Sequence, residues 1–138
     1  MQLIVNIDGG SRGNPGPAGA GVVIKTADDG TIIQQAGVYL GTATNNVAEY
    51  TGLVEGLKRA LVFKPDAVHI ISDSELLVKQ IKGIYRVKNA GLKPLYEQAL
   101  ELIAKFDKFS IEHVKRAFNK EADEMANRAM NTKRDFED

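Results

Sequence analysis

The sequence predicts a single α/β domain with a mixed five-stranded sheet and helices on both of its faces. Three strand-like runs joined by short connections occupy the first third of the chain, which favours an antiparallel meander. Two further β-branched runs each follow a helical stretch, which predicts crossover connections and strands parallel to the first. With 138 residues, of which 43% are apolar, the chain is long enough to bury one core without cross-links.

The first predicted strand, residues 3–8, is an apolar run that ends on the carboxylate of Asp8. The segment GGSRGNPGP follows at once and predicts a turn that backbone or a ligand can approach closely. Two more strands are predicted at residues 20–25 and 32–40, with an Asp-Asp-Gly turn between them. Taken alone, Asp8 fits either of two roles, a cap that binds its own turn or a charged group of a functional site.

A long amphipathic helix is predicted from the cap residues Thr44, Asn45 and Asn46 to about residue 63. Its apolar stripe follows the helical period through Val47, Tyr50, Val54, Leu57 and Leu61. At about 100° per residue, Glu49 falls at the edge of this stripe. We therefore expect the Glu49 carboxylate to be half-sheltered near the start of the helix.

The β-branched run at residues 67–72 predicts a buried parallel strand, and this strand also ends on a carboxylate. Asp73 and Ser74 then precede a short helix predicted at residues 75–81. Capping of that helix is one role open to Asp73, and membership of a functional site is the other. A right-handed crossover would make this strand a neighbour of the first, so that Asp8 and Asp73 meet at one edge of the sheet.

Between residues 76 and 96 every charged residue is basic. Such a run is often only a solvated face. In a chain whose 18 basic and 18 acidic residues cancel, however, it is the best candidate for contact with phosphates. Its basic residues are Lys79, Lys82, Arg86, Lys88 and Lys93.

The C-terminal part predicts a helix at residues 92–106, a strand at 109–114 and a helix at 119–130. Asp123 lies at the edge of the apolar face of the last helix. We expect one domain over residues 1–131, followed by a charged and frayed tail at residues 132–138.

Composition excludes several kinds of site and location. The chain has no cysteine, which excludes disulfides and thiolate metal sites. Its balanced charge gives no global attraction to nucleic acid, so any such binding needs a local patch. No stretch fits a signal peptide or a membrane span. We expect a cytoplasmic protein that works as a monomer, without a membrane or an obligate protein partner.

Four acidic residues occupy sheltered positions, Asp8 and Asp73 at strand ends and Glu49 and Asp123 at the margins of buried helix faces. Burying such charges together is costly unless a cation holds them. Oxygen ligands without histidine or cysteine favour Mg²⁺ or Mn²⁺ over zinc. Because two such ions suit in-line displacement at phosphorus, the sequence predicts a site for divalent metal ions and phosphate chemistry.

In these motifs the chain resembles the type 1 ribonucleases H. The matching pieces are Asp8 at the start of DGGSRGNPGP, Glu49 after Thr44-Asn45-Asn46, Asp73 between two serines, and Asp123 four residues after Asn119. They occur in the family's order, and the predicted helices and strands fit its ribonuclease H-like fold over nearly the whole chain. Any one motif is weak, but four in register are highly specific.

The resemblance implies an endoribonuclease that hydrolyses the RNA strand of RNA–DNA hybrids and leaves 5′-phosphate and 3′-hydroxyl ends. It implies that Asp8, Glu49, Asp73 and Asp123 are catalytic residues that bind two Mg²⁺ ions, for which Mn²⁺ can substitute. Glu49 would also lie near the ribose 2′-hydroxyl, the group by which a protein distinguishes RNA from DNA. The substrate-binding residues that the resemblance implies are Gly9, Gly10, Ser11, Arg12, Asn14, Asn45, Asn46 and Ser74.

Two features depart from the family pattern. Many members carry a histidine in the loop before the last aspartate, whereas residues 115–122 contain none, as in a short-loop branch of the family. Arg116 and Asn119 are the auxiliary candidates there, and His113 in the preceding strand is interpreted as structural. The chain also has no tryptophan and so lacks the tryptophan-bearing basic protrusion of some members. Its auxiliary basic residues are Lys79, Lys82, Arg86 and Lys88.

Two other functions stay open at this level. A related nuclease of the superfamily could act on duplex RNA or DNA, and a non-catalytic module could bind hybrids through the basic run and the asparagines. A pure binder gains nothing from four carboxylates that repel phosphate, which favours the enzyme. The glycine-rich turn matches neither a Walker loop nor a dinucleotide fingerprint, which argues against a nucleotide-binding role.

Overall fold

The computed structural model describes residues 1–138 and contains six strands and four α-helices. The strands are β1 (Gln2–Ser11), β2 (Gly16–Thr26), β3 (Ile32–Ala43), β4 (Ala67–Ser72), β5 (Lys108–His113) and β6 (Phe136–Glu137). The helices are α1 (Asn45–Val62), α2 (Glu75–Ile81), α3 (Lys93–Ile103) and α4 (Lys120–Thr132), with a 3₁₀ turn at Arg116–Phe118. The strands form one sheet in the order β5-β4-β1-β2-β3-β6.

The strand pairing confirms the predicted α/β fold. β1 pairs antiparallel with β2, and β2 pairs antiparallel with β3. β4 lies parallel to β1, and β5 lies parallel to β4. Because Ile7 pairs with Ser72 in neighbouring parallel strands, the residues that follow them, Asp8 and Asp73, stand at the same edge of the sheet.

The glycine-rich segment after Asp8 begins as strand and not as turn. Gly9, Gly10 and Ser11 continue β1 and pair with Ala20, Gly19 and Ala18 of β2. The turn is therefore confined to residues 12–15, and our prediction of a turn directly after Asp8 was wrong. Glycine fits in the strand here because α1 packs directly against it, and a Cβ on Gly9 would lie 2.2 Å from the main chain of Ala48.

The tail contains a sixth strand that we did not predict. Instead of fraying, residues Phe136 and Glu137 pair antiparallel with Gly37 and Ala36 of β3. The Phe136 ring lies beside Gly37 and 3.9 Å from the guanidinium carbon of Arg128. Further ion pairs join Arg59 to Glu137 and Arg128 to Asp138. Glu137 and Asp138 of the tail thus have partners on α1 and α4.

Helices cover both faces of the sheet, as predicted. α1 packs on β1 and against α3 on one face, whereas α4 packs across β1, β2 and β3 on the other. Close approach of α4 depends on Gly21, where a Cβ would lie 2.1 Å from the carbonyl oxygen of Ala122. None of the helices is both long and apolar enough to cross a membrane. The core under α1 and α3 includes Leu3, Val5, Ile7, Leu53, Leu57, Val68, Ile70 and Ala99.

Candidate active site

Four carboxylates line a single cavity of about 500 Å³ at the edge of the sheet where β1 and β4 end. They come from four separate segments of the chain: Asp8 from β1, Glu49 from α1, Asp73 from the residue after β4, and Asp123 from α4. Asp8 is only 9% exposed, and the other three are partly buried. The cavity therefore brings together the four acidic residues that the sequence pattern selected.

Glu49 is positioned by the packing of α1 on β1. Thr44 caps the helix, since its hydroxyl oxygen accepts a hydrogen bond from the Val47 backbone N–H. The adjacent close contact between Gly9 and Ala48 leaves no space for side chains between strand and helix. Glu49, the residue after Ala48, is thereby held beside the end of β1.

Asp123 is positioned by the start of α4. Its backbone N–H donates to the carbonyl oxygen of Asn119 at 3.2 Å. The Asn119 side chain is buried and donates to the carbonyl oxygen of Ile7 at 2.8 Å. The first turn of α4 is thus attached to β1 immediately before Asp8.

The charges of the site disfavour full ionisation. Burial, the nearby charge of Asp73 and a hydrogen bond with Asp123 raise the pKa of Asp8 to about 8. Burial raises the pKa of Glu49 to about 7, with a smaller contribution from the charge of Asp73, and the Ser74 hydroxyl opposes this rise. Without a cation, Asp8 and Glu49 therefore keep protons up to near neutral pH.

The donor set fits a hard divalent cation. The acidic groups of the cavity offer only carboxylate oxygens, and the positively charged side chain nearest to them is Arg116, whose Nη2 lies 3.8 Å from Asp123 Oδ1. Its side chain is 82% exposed and compensates little of the negative charge. No three acidic or histidine side chains are grouped tightly enough to form a ready-made metal cluster. We therefore expect small side-chain movements when an ion binds.

The turn after β1 is tied to the start of α1 by asparagines. The Ser11 backbone N–H donates to Asn45 Oδ1 at 2.7 Å, and the Asn45 backbone N–H donates to Asn14 Oδ1 at 3.2 Å. These bonds hold the turn beside the cavity mouth. They leave the amide NH₂ groups of Asn14 and Asn45, both exposed, free to face a ligand.

Arg12 is held over the other side of the cavity by α4. Its Nη2 donates to Asn131 Oδ1 at 2.6 Å and to Asn127 Oδ1 at 3.3 Å. Both partners are neutral, so the guanidinium keeps its full charge and its remaining donors. Asn127 also lines the cavity. Sequence reasoning missed both asparagines, although they follow Asp123 at intervals of four residues and so share its face of the helix.

Comparison with known proteins gives the family. Residues 6–129 match the family model described as reverse transcriptase-like. RNase H1 from the halophilic archaeon Halobacterium salinarum has the same fold, with a TM-score of 0.91 and 40% identity, over 96% of this chain and 99% of that one. The chain belongs to the type 1 ribonuclease H family.

Two further members of the ribonuclease H group are similar over most of this chain. LC11-RNase H1, solved in complex with an RNA/DNA hybrid, shares 37% identity at a TM-score of 0.88, over 95% of this chain and 98% of that one. A bifunctional protein of Mycobacterium tuberculosis is 45% identical over 130 residues, which are 94% of this chain and 36% of that protein. The chain thus spans about a third of the length of this curated relative.

Most of the side chains that the ribonuclease H resemblance selected surround the cavity. Besides the carboxylates, its wall includes Gly9, Gly10, Ser11, Arg12, Asn45 and Arg116. Asn14 lies behind Asn45, to which it is hydrogen-bonded. Asn46 and Ser74 border Glu49 in a shallow depression beside the cavity, and the Ser74 side chain caps α2. The roles of these residues in binding stay predictions.

The auxiliary basic residues do not reach the cavity wall. Lys79 pairs with Glu75 at 3.0 Å and lies 5.1 Å from the centre of the Tyr85 ring. Lys82, Arg86 and Lys88 are exposed beyond it. They could meet only a ligand that extends past the cavity. His113 is the last residue of β5, is exposed and does not line the cavity, so the structural role that we expected for it stays a prediction.

Proposed function

We propose that this chain is an endoribonuclease that hydrolyses the RNA strand of RNA–DNA hybrids and leaves 5′-phosphate and 3′-hydroxyl ends. The observation that carries the proposal is the convergence of four carboxylates, from four separate segments of the chain, on one open cavity. Membership of the ribonuclease H family supports it, as does the RNA/DNA hybrid bound to LC11-RNase H1.

The carboxylates would hold two divalent ions, Mg²⁺ or in its place Mn²⁺. Such ions, when bound, activate a water molecule and stabilise the leaving oxygen of an in-line displacement. Asp8 is the central ligand in this proposal because it is the most buried of the four and adjoins both Asp73 and Asp123. Glu49 stands on the side of Ser74 and Asn46, where the ribose 2′-hydroxyl would be recognised.

The rest of the cavity rim would recognise the hybrid. Asn14, Asn45 and Asn46 offer amide donors and acceptors for a minor groove, and backbone groups at residues 9–12 allow close approach. Arg12 would contact a phosphate beside the metal ions, because its charge is not neutralised by its asparagine partners. Lys79, Lys82, Arg86 and Lys88 would contact phosphates farther along the duplex.

Arg116 takes the place of the loop histidine in this proposal. It lies on the cavity wall and forms a long ion pair with Asp123, which would keep a positive charge next to the reacting phosphate. Its high exposure lets the side chain move towards a bound substrate. We also propose that the chain acts as a monomer, since all of the proposed ligands come from one chain.

Cleavage of a hybrid with end-labelled RNA, in Mg²⁺ and in Mn²⁺, tests the function directly. We expect Asp8→Asn and Asp73→Asn to lower the rate by more than about 100-fold, the upper range for substitutions that act only indirectly on a metal site. Asp28→Asn, in the exposed turn between β2 and β3 at the opposite end of β1 from Asp8, is the matched control and should keep full activity. Preference for duplex RNA or duplex DNA, or binding without turnover, would contradict the proposal.

A further inference from the structure

A buried pair of asparagines lies directly beneath the cavity carboxylates. The Asn6 side chain donates from Nδ2 to Asn119 Oδ1 at 2.9 Å, and Asn119 donates onward to the carbonyl oxygen of Ile7. The two residues are 6% and 1% exposed. Neither belongs to the cavity wall, so neither is available to touch a substrate.

The asparagine pair and one acidic pair form two successive rungs between β1 and α4. Asn6 and Asp8 are two residues apart on a strand and point to the same face, at a spacing of roughly 6.6 Å. Asn119 and Asp123 are four residues apart at the start of a helix, at a spacing of roughly 6 Å. The two spacings match, so that Asn6 meets Asn119 on one rung and Asp8 meets Asp123 on the next.

We propose that the Asn6–Asn119 pair is a positioning device that sets the separation of the Asp8 and Asp123 carboxylates for a divalent cation. The inference rests on the proposed function, because it assigns these carboxylates to a metal site. Asn119 acts on Asp123 through the helix, since its own carbonyl oxygen accepts the Asp123 backbone N–H.

The chemistry of the amide group explains why asparagine suits both positions. Asn119 must accept from Asn6 and donate to Ile7, and an amide does both without a charge. A carboxylate in its place could not donate and would add a charge beneath four others. An apolar side chain would leave the buried carbonyl group and the partner amide without hydrogen bonds. The pair thus fixes α4 on β1 without competing for the cation.

The test measures Mn²⁺ binding to the substrate-free chain by calorimetric titration, together with kcat and KM on a hybrid. We expect Asn6→Ala and Asn119→Ala each to weaken Mn²⁺ binding about tenfold and to lower kcat with little change in KM. The double variant should be no worse than the more affected single variant, because all three lack the same pair. Val68→Ala, a core substitution at the opposite end of β4, is the control for lost stability alone and should keep the parent's Mn²⁺ affinity.

Folded variants that bind Mn²⁺ as tightly as the parent would overturn the inference and leave the pair a purely structural contact. If the alanine variants do not fold, Asn6→Ser decides, because it breaks the rung with a smaller loss of volume and keeps a polar group. Unchanged Mn²⁺ affinity in Asn6→Ser would likewise overturn it. Should the parent cleave no hybrid while the variants lose Mn²⁺ affinity, the proposed function fails and the positioning role stands.

Discussion

Gly9 lies in main-chain contact with Ala48, so that β1 and α1 touch at the point between Asp8 and Glu49. A Cβ at residue 9 would fall 2.2 Å from the carbonyl carbon and oxygen of Ala48, and 2.5 Å from the backbone nitrogen of Glu49. Main-chain atoms cannot move aside as a flexible side chain can. Two carboxylates of the site are therefore held together by the absence of a side chain between them.

Gly9→Ala should separate the strand from the helix and destabilise the fold. We expect a loss of about 1–3 kcal/mol or more in the free energy of unfolding, typical of overpacking. Denaturant unfolding followed by circular dichroism measures it. Gly10→Ala is the matched control, since a Cβ there meets nothing within 4 Å, and it should stay within about 0.5 kcal/mol of the parent. Equal stability of the two variants would contradict the close contact.

The acidic part of the site could be predicted from sequence because each carboxylate has a local signature. Asp8 and Asp73 each follow an apolar run of the sequence, and the parallel pairing of these runs, which ends at Ile7 and Ser72, brings both carboxylates to one edge. Glu49 and Asp123 follow from the helical period, which places them at the margin of a buried face. The order of strands and helices followed from the same two signals, the short apolar runs typical of strands and the helical period.

The features that sequence reasoning missed depend on contacts between distant segments. Phe136 becomes part of a strand only because Gly37 leaves room for its ring, 99 positions earlier in the chain. Asn6 lies in an apolar run, and nothing local indicates that its partner is Asn119. Arg12 likewise finds its amide partners on a helix that follows it by more than a hundred residues. Contacts between such distant residues leave no periodic pattern in the local sequence.

Stability of the metal-free chain should fall as pH rises from about 4 to 8. Asp8 and Glu49 have raised pKa values, about 8 and about 7, so the folded state holds their protons more tightly than the unfolded state does. This contribution is fully present below the unfolded pKa and is lost as pH rises through the folded pKa. The pKa of Asp29 is lowered to about 2, so this group changes the stability only in more acidic solution. Denaturant unfolding in a chelator at several pH values measures the decline.

Asp8→Asn is the control for the pH dependence, because it removes the group with the largest shift. We expect the variant to lose much of the decline between pH 6 and pH 8. Added Mn²⁺ should stabilise the parent more at pH 8 than at pH 6, since the ion competes with protons for the same oxygens. Stability of the metal-free parent that rises over this range would contradict the assignment of these pKa shifts.

Arg12→Ala should weaken substrate binding more than it slows the chemical step. We expect KM to rise about three- to tenfold, equivalent to ~0.7–1.4 kcal/mol, with a smaller change in kcat. The slope of log affinity against log salt concentration should decrease by about one, as expected when one phosphate contact is lost. Asn127→Ala and Asn131→Ala should raise KM less, because they free the guanidinium without removing it. Arg134→Ala, which removes an exposed charge elsewhere, is the control. If it raised KM as much as Arg12→Ala does, Arg12 would act only by long-range electrostatic attraction.

Phe136→Ala should show that the tail is an integral part of the sheet. The ring fills the space beside Gly37 and stacks on Arg128, and β6 covers the outer edge of β3. Because Phe136 is half-buried, we expect a loss of about 1–2 kcal/mol in stability, below the ~3–5 kcal/mol typical of a fully buried phenylalanine. Phe118→Ala, at a ring that is 74% exposed, is the matched control and should cost less than about 0.5 kcal/mol.

Deletion of residues 136–138 should cost at least as much as Phe136→Ala, because it also removes the ion pairs to Arg59 and Arg128. If residues 136–138 could be deleted without loss of stability, the tail would be frayed, as its charged sequence first indicated.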